Sequence, residues 1–173
     1  MKTDEVVLVE LFRKDVRSSL TKYLKRIVRC LELLSEDEIW WRPNAVSNSA
    51  GNIVLHLCGN VRQWILSGLG GARDVRERDQ EFAERGPVPR QALIERLQTT
   101  VEEACETIDA LPFPMFSREF DIQGYRVTGL IAVARVYEHF SHHAGQIIYL
   151  TKLKRDEDLG FTQLPEYTPK KHN

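Results

Sequence analysis

From Asp4 to Leu34 one pattern repeats without interruption. Val9, Phe12, Val16, Leu20, Tyr23, Leu24, Ile27, Leu31 and Leu34 recur at helical spacing, with charged residues between them. A helix of that length with one apolar stripe has to bury the stripe against partners of similar length. The rest of the chain supplies three. A second helix is expected over about 49–67, with Ser47 or Ser49 as its N-cap, and ends at Gly68-Leu69-Gly70-Gly71. A third, about 89–111, carries Leu93, Leu97, Val101, Ala104 and Ile108 and is closed by Pro112 and Pro114. A fourth, about 128–154, starts at the cap Thr128. The reading is an all-α four-helix bundle formed by the 173 residues as a single domain, 1–173.

The connections have their own signals. Ser35 to Glu38 forms a short capping box, stopped by Trp40-Trp41-Arg42-Pro43. The two tryptophans are expected to plug the end of the bundle. Residues 72–88 are highly charged and read as a solvated surface connection with room for one helical turn. Around Gln123-Gly124, Phe120 and Ile122 alternate with Tyr125 and Val127, the pattern of a short hairpin before the last helix. The tail from Gly160 is polar, contains prolines and is expected to pack loosely.

Composition bounds the function. The net charge is −1 and the basic residues are interleaved with acids, which argues against a nucleic-acid partner. No stretch reaches the ~20 apolar residues of a membrane span, and no signal-peptide pattern opens the chain. Cys30, Cys58 and Cys105 are odd in number and widely spaced, as expected of buried free thiols in a reducing cytoplasm. A cytoplasmic location is therefore the expectation.

Three of the five histidines fall within EHFSHHAGQ: His139, His142 and His143. On a helix, positions i and i+4 share a face. His139 and His143 therefore lie together at the border of the core face, and Gln146 falls beside them. His142 falls on the other side, towards solvent or a partner, and Glu138 points away from the stripe. The second helix repeats this geometry. His56 sits at the edge of an apolar arc of Ile53, Val54, Leu57, Val61, Trp64 and Ile65, with Asn60 and Gln63 extending the same polar stripe. Cys58 lies on the apolar arc and reads as a core thiol. Leu55 and Leu66 fall outside it and are candidates for a subunit contact.

If the two polar columns face each other, His56, His139 and His143 converge. Three imidazoles suit zinc, nickel, copper or iron and leave coordination positions open, as catalytic sites require. Such an ion would acidify a bound water or thiol. The alternative is that the same histidines are hydrogen-bonded residues at the core edge. No recognisable catalytic side chain stands out beside them.

The pair NSAGNIVLHLCGNVRQW and EHFSHHAGQIIYL resembles the DinB-like (YfiT-like) superfamily. That family carries a helix-two pattern written xxHLxxN and a late HxxxHxGQ. His56, His139 and His143 match its three metal-ligand positions, and Ala144-Gly145-Gln146 matches the run that follows. The resemblance covers nearly the whole chain. It implies a helical bundle, one divalent ion, zinc or nickel, and a homodimer. For members with an assigned activity it implies transfer or isomerisation with a low-molecular-weight thiol. Three functions follow as expectations: a thiol-dependent S-transferase, a metal-dependent hydrolase lacking an evident carboxylate on the histidine stripe, or a non-catalytic, stress-related metal-binding bundle.

Overall fold

The computed structural model describes residues 4–86 and 88–161. The long apolar stripe at the N-terminus forms α1 (Asp4–Leu33), and the Ser35 capping box starts the single turn α2 (Glu36–Trp40). Ser49 caps α3 (Ala50–Val61), which runs on into a π-helical turn, Arg62–Ser67. The charged connection contains α4 (Arg78–Ala83). It is followed by α5 (Arg90–Ala110), a 3-10 turn (Phe113–Phe116), β1 (Glu119–Ile122), β2 (Tyr125–Thr128) and α6 (Gly129–Arg155).

The four long helices close a ring. α1 packs on α6 and α5, and α3 packs on α5 and α6. Their stripes meet in one core built from Leu20, Ile27 and Leu31 of α1, Leu57 of α3, Leu93 and Leu97 of α5, and Phe140 and Ile147 of α6, all fully buried. β1 and β2 pair antiparallel around Gln123 and Gly124, whose φ angles are 53° and 77°. Two positive φ values in succession define the type I′ turn that matches strand twist, and glycine in the second place adopts it without strain.

Trp40 and Trp41 are both half-buried against the core. Trp40 packs so closely on α3 that a Cβ at Gly51 would stand 2.9 Å from its ring. The three cysteines are free and buried, and burial pushes the Cys58 thiol up to about 11, which keeps it protonated and inert. The tail expected to pack loosely lies outside the described residues from 162 onwards.

Two surface readings are corrected. Leu55 and Leu66 are buried, at 7% and 8% exposure, and are not available for a subunit contact. α4 packs on α3, and the π turn packs on α5 and α6, so the side of α3 that a wheel leaves outside is covered by other elements. The connection 72–88 is likewise no simple solvated run. Asn52 Nδ2 donates to the carbonyls of Glu81 and Glu84, each at 2.9 Å, and Arg42 donates to Asn52 Oδ1 and to the Phe82 carbonyl. These bonds fasten the segment along α3 and turn two of its charged side chains inwards.

Candidate metal centre

α3 and α6 bring their polar columns together. The Nε2 atoms of His56 and His143 each lie 3.1 Å from Nε2 of His139. The candidate ligand atoms of all three rings fall within 4.8 Å of one another. His56 is buried, and His139 and His143 are half-buried. Tetrahedral coordination at zinc–nitrogen distances near 2.0–2.1 Å places ligand nitrogens about 3.3 Å apart, so the observed spacing fits one ion.

The second nitrogen of two rings sets their tautomer. His56 Nδ1 is 2.9 Å from Glu81 Oε2. An ionised carboxylate only accepts, so Nδ1 carries the hydrogen and Nε2 presents a lone pair towards His139. His143 Nδ1 is 2.7 Å from Gln146 Oε1, which also accepts, and the same result follows. Gln146 Nε2 lies 3.2 Å from His142 Nε2, which orients the amide so that its oxygen meets His143. Histidines that hold metals are oriented in this way, by a carboxylate or an amide oxygen on the far nitrogen. His139 Nδ1 is buried without a partner among the described residues.

Glu81 is itself locked. Arg76 Nε donates to Glu81 Oε1 at 2.8 Å, and Arg76 Nη2 donates to Oε2 at 2.9 Å. The two side chains are 4% and 9% exposed. Arg76 Nη2 also stands 3.1 Å from His56 Nδ1, where two donors share one carboxylate oxygen. Burial raises the Glu81 pKa, but the hydrogen bonds from Arg76 and His56 outweigh it and hold the carboxyl below its usual range. Gln63 Oε1 accepts from Arg76 Nη1, and Gln63 Nε2 donates to Asp74 Oδ2. Gly59 makes room for the pair: a Cβ there would come within 1.8 Å of Glu81 Oε1.

The His139 and His143 imidazoles are kept neutral. Burial first, then the neighbouring histidines, lowers His139 to about 3. Burial likewise lowers His143 to about 4, against the opposing effect of its bond to Gln146. Neutral imidazole is the form that binds metal.

A cavity of about 470 Å³ opens onto His56 and His139. Its wall includes Asn60, Trp64, Gln123, Glu138 and His142. Trp64 Nε1 donates to Gln123 Oε1 at 3.1 Å, so the hairpin tip forms part of this wall. Asn60 Oδ1 is buried without a partner among the described residues.

Of the residues singled out in the sequence, His56, His139 and His143 meet, and Gln146, Gln63 and Asn60 lie around them. His142 is exposed. Glu138, placed by the helical wheel away from the stripe, is on the cavity wall, because the cavity extends past the histidines to the flank of α6. Arg76 and Glu81 were not singled out; they belong to the segment read as solvated surface. One signal points to them. Gly59 interrupts an apolar helix three residues after His56, and such a glycine is one place where another group can approach a helix closely, as Glu81 does here.

The fold is a helical bundle similar to those of solved DinB-like proteins. Residues 8–167 match the model of the family described as "Protein of unknown function (DUF1572)", and the chain belongs to that family. A crystal structure of a conserved protein from Enterococcus faecalis superposes with a TM-score of 0.72 at 16% identity, covering 83% of this chain and 97% of that one. A DinB-like protein from Bacillus subtilis gives 0.61 at 20% identity, over 82% and 92% of the two chains. A DinB-like protein from Bacillus cereus gives 0.64 at 17%, over 82% and 91%. No curated protein matches the sequence. Among the described residues no helix is long and apolar enough to cross a membrane.

Proposed function

We propose that His56, His139 and His143 hold one divalent ion, zinc or nickel, through Nε2, and that the protein uses it in a thiol-dependent, S-transferase-like reaction. The observation that carries the metal site is the pair of 3.1 Å Nε2 separations, with Glu81 and Gln146 holding the far nitrogens of His56 and His143. A divalent ion in that position supplies Lewis acidity that favours the thiolate form of a bound thiol. The chain's own residues do the rest. Neutral imidazoles bind the ion, Glu81 and Gln146 aim them, and the cavity in front of His56 and His139 admits the substrates. Cys58 takes no part, being a fully buried thiol. Three protein ligands leave coordination positions for a low-molecular-weight thiol, the small-molecule partner expected with this reading.

The hydrolase reading draws support from Glu138, a carboxylate on the cavity wall that could serve as a general base. Substituting Glu138→Gln separates the two: hydrolysis of an ester substrate falls, whereas consumption of a thiol does not. A homodimer belongs to the same proposal. The exposed Leu8, Leu11 and Leu130 support it, and sedimentation equilibrium tests it.

The deciding experiment is elemental analysis of the untagged protein beside His143→Ala. About one equivalent of zinc or nickel in the parent, lost in the variant, is the expected result. No metal in the parent after reconstitution and dialysis removes both enzyme readings. A metal-loaded parent that consumes no thiol with any electrophile removes the transferase reading alone.

A further inference from the structure

The cavity in front of the histidines carries positive charge that its own carboxylates do not offset. Four ordinarily charged side chains line it: Arg76, Arg78, Arg135 and Glu138. Arg76 is engaged by Glu81. Arg78 and Arg135 are exposed, and among the described residues neither has a carboxylate within ion-pair distance. Their partners are aromatic rings instead. The Arg78 guanidinium carbon lies 5.1 Å from the centroid of Phe82. That of Arg135 lies 5.8 Å from Trp64 and 5.2 Å from Tyr125. A guanidinium held against a ring keeps its position while its N–H donors remain available.

The two arginines come from different elements, α4 and α6, and both face one cavity. Trp64, 5% exposed, and Val136, 1% exposed, add apolar surface to its wall. A volume of about 470 Å³ suits a small molecule rather than a polymer. We propose that this cavity binds a small organic carboxylate. The carboxylate oxygens accept hydrogen bonds from Arg78 and Arg135, and the carbon skeleton lies against Trp64 and Val136. The binding rests on these side chains alone; only the statement that the far end of the ligand faces His56 and His139 as its reacting end rests on the metal-site reading above. The planar fork of arginine matches a carboxylate in two parallel bonds, which an amide of the same shape does not reproduce.

The test is calorimetric titration of the metal-loaded protein with phenylacetate and with phenylacetamide, its neutral counterpart. Phenylacetate is expected to bind at least about ten-fold more tightly, since hydrogen bonds to charged groups exceed neutral ones by that margin. Arg78→Gln and Arg135→Gln should each weaken phenylacetate about ten-fold and leave phenylacetamide unchanged. Both residues are exposed, so an unaltered melting temperature certifies the fold of each variant. The same titration of His143→Ala separates this proposal from the metal reading: phenylacetate should still bind within a few-fold of the parent. Binding lost in His143→Ala but unaffected in the arginine variants would assign the carboxylate to the metal and overturn the proposal. So would equal binding of acid and amide, or no binding of either. A parent that holds no metal would defeat the proposed function while leaving the arginine comparison intact.

Discussion

α3 and α6 bring histidines to one point by opposite means. Every residue of α3 is buried, whereas α6 keeps one flank in solvent, with Arg135, Glu138, His142 and Tyr149 exposed. His56 on α3 is oriented from outside its helix, by a carboxylate delivered from the connection 72–88 and locked by Arg76. His143 on α6 is oriented from within its helix, by Gln146 three residues on. The site thus has a fixed half, built by tertiary contacts, and an open half, built by helix periodicity on the solvent-flanked helix; His56 and His139, one from each half, face the cavity. A ligand on a central helix can be oriented only by what packs over it, and that packing also carries stability. A ligand on an outer helix can be oriented by a neighbour that carries little.

Breaking the fixed half should have the largest effect. Glu81→Ala leaves the Arg76 guanidinium buried and unpaired, and a loss of about 3–5 kcal/mol is expected in urea unfolding. Metal affinity should fall with it. Gly59→Ala attacks the same pair by sterics. The colliding atom is the end of a side chain, but one pinned by Arg76, so about 1–3 kcal/mol of destabilisation is expected despite the gain in helix propensity. A variant as stable as the parent would show that Glu81 moves aside freely.

The open half should respond to pH in the chelator-treated protein. His139 at about 3 and His143 at about 4 lie below the ordinary histidine value of 6.5. Below that value the unfolded chain binds more protons than the folded one. Stability contributed by these rings is therefore complete above pH ~6.5 and declines as pH falls through 4 towards 3. Unfolding midpoints measured over this range check the sign; a midpoint that rises on acidification contradicts it.

Smaller effects distinguish the two halves. Gln146→Ala removes the partner of His143 Nδ1 from an exposed position, so metal affinity should drop about ten-fold while stability stays within about 0.5 kcal/mol. Competition with a chromophoric chelator measures the first and urea unfolding the second. The smallest effect is expected of His142→Ala, whose ring meets Gln146 and stands edge-on to His143 at 5.3 Å but lies outside the cluster of ligand nitrogens. It should retain about one equivalent of metal by elemental analysis. Loss of metal there would reverse the assignment of His142 and His143.

Much of the architecture was legible because it is local. The stripe from Val9 to Leu34, the caps Ser35, Ser49 and Thr128, and the Gln123-Gly124 turn each express a preference of a few adjacent residues, and each appears in place. The shared face of His139 and His143 follows from helix geometry in the same way. Leu55, Leu66, Arg76 and Glu81 were misread for one common reason. A wheel shows which side of a helix is apolar, but not what covers its remaining sides. The charged run 73–79 has no period from which burial could be inferred.

The sequence by itself therefore determined the helices, their ends, the hairpin and the two histidine columns, since these depend on backbone preference and on the spacing of side chains within one element. Only the tertiary structure decided that the columns face each other and that Glu81 reaches His56. The physical reason lies in long-range hydrogen bonds. Asn52 and Arg42 hold the backbone of the connection against α3, and Gly59 leaves the space in which a buried arginine–carboxylate pair can meet the imidazole.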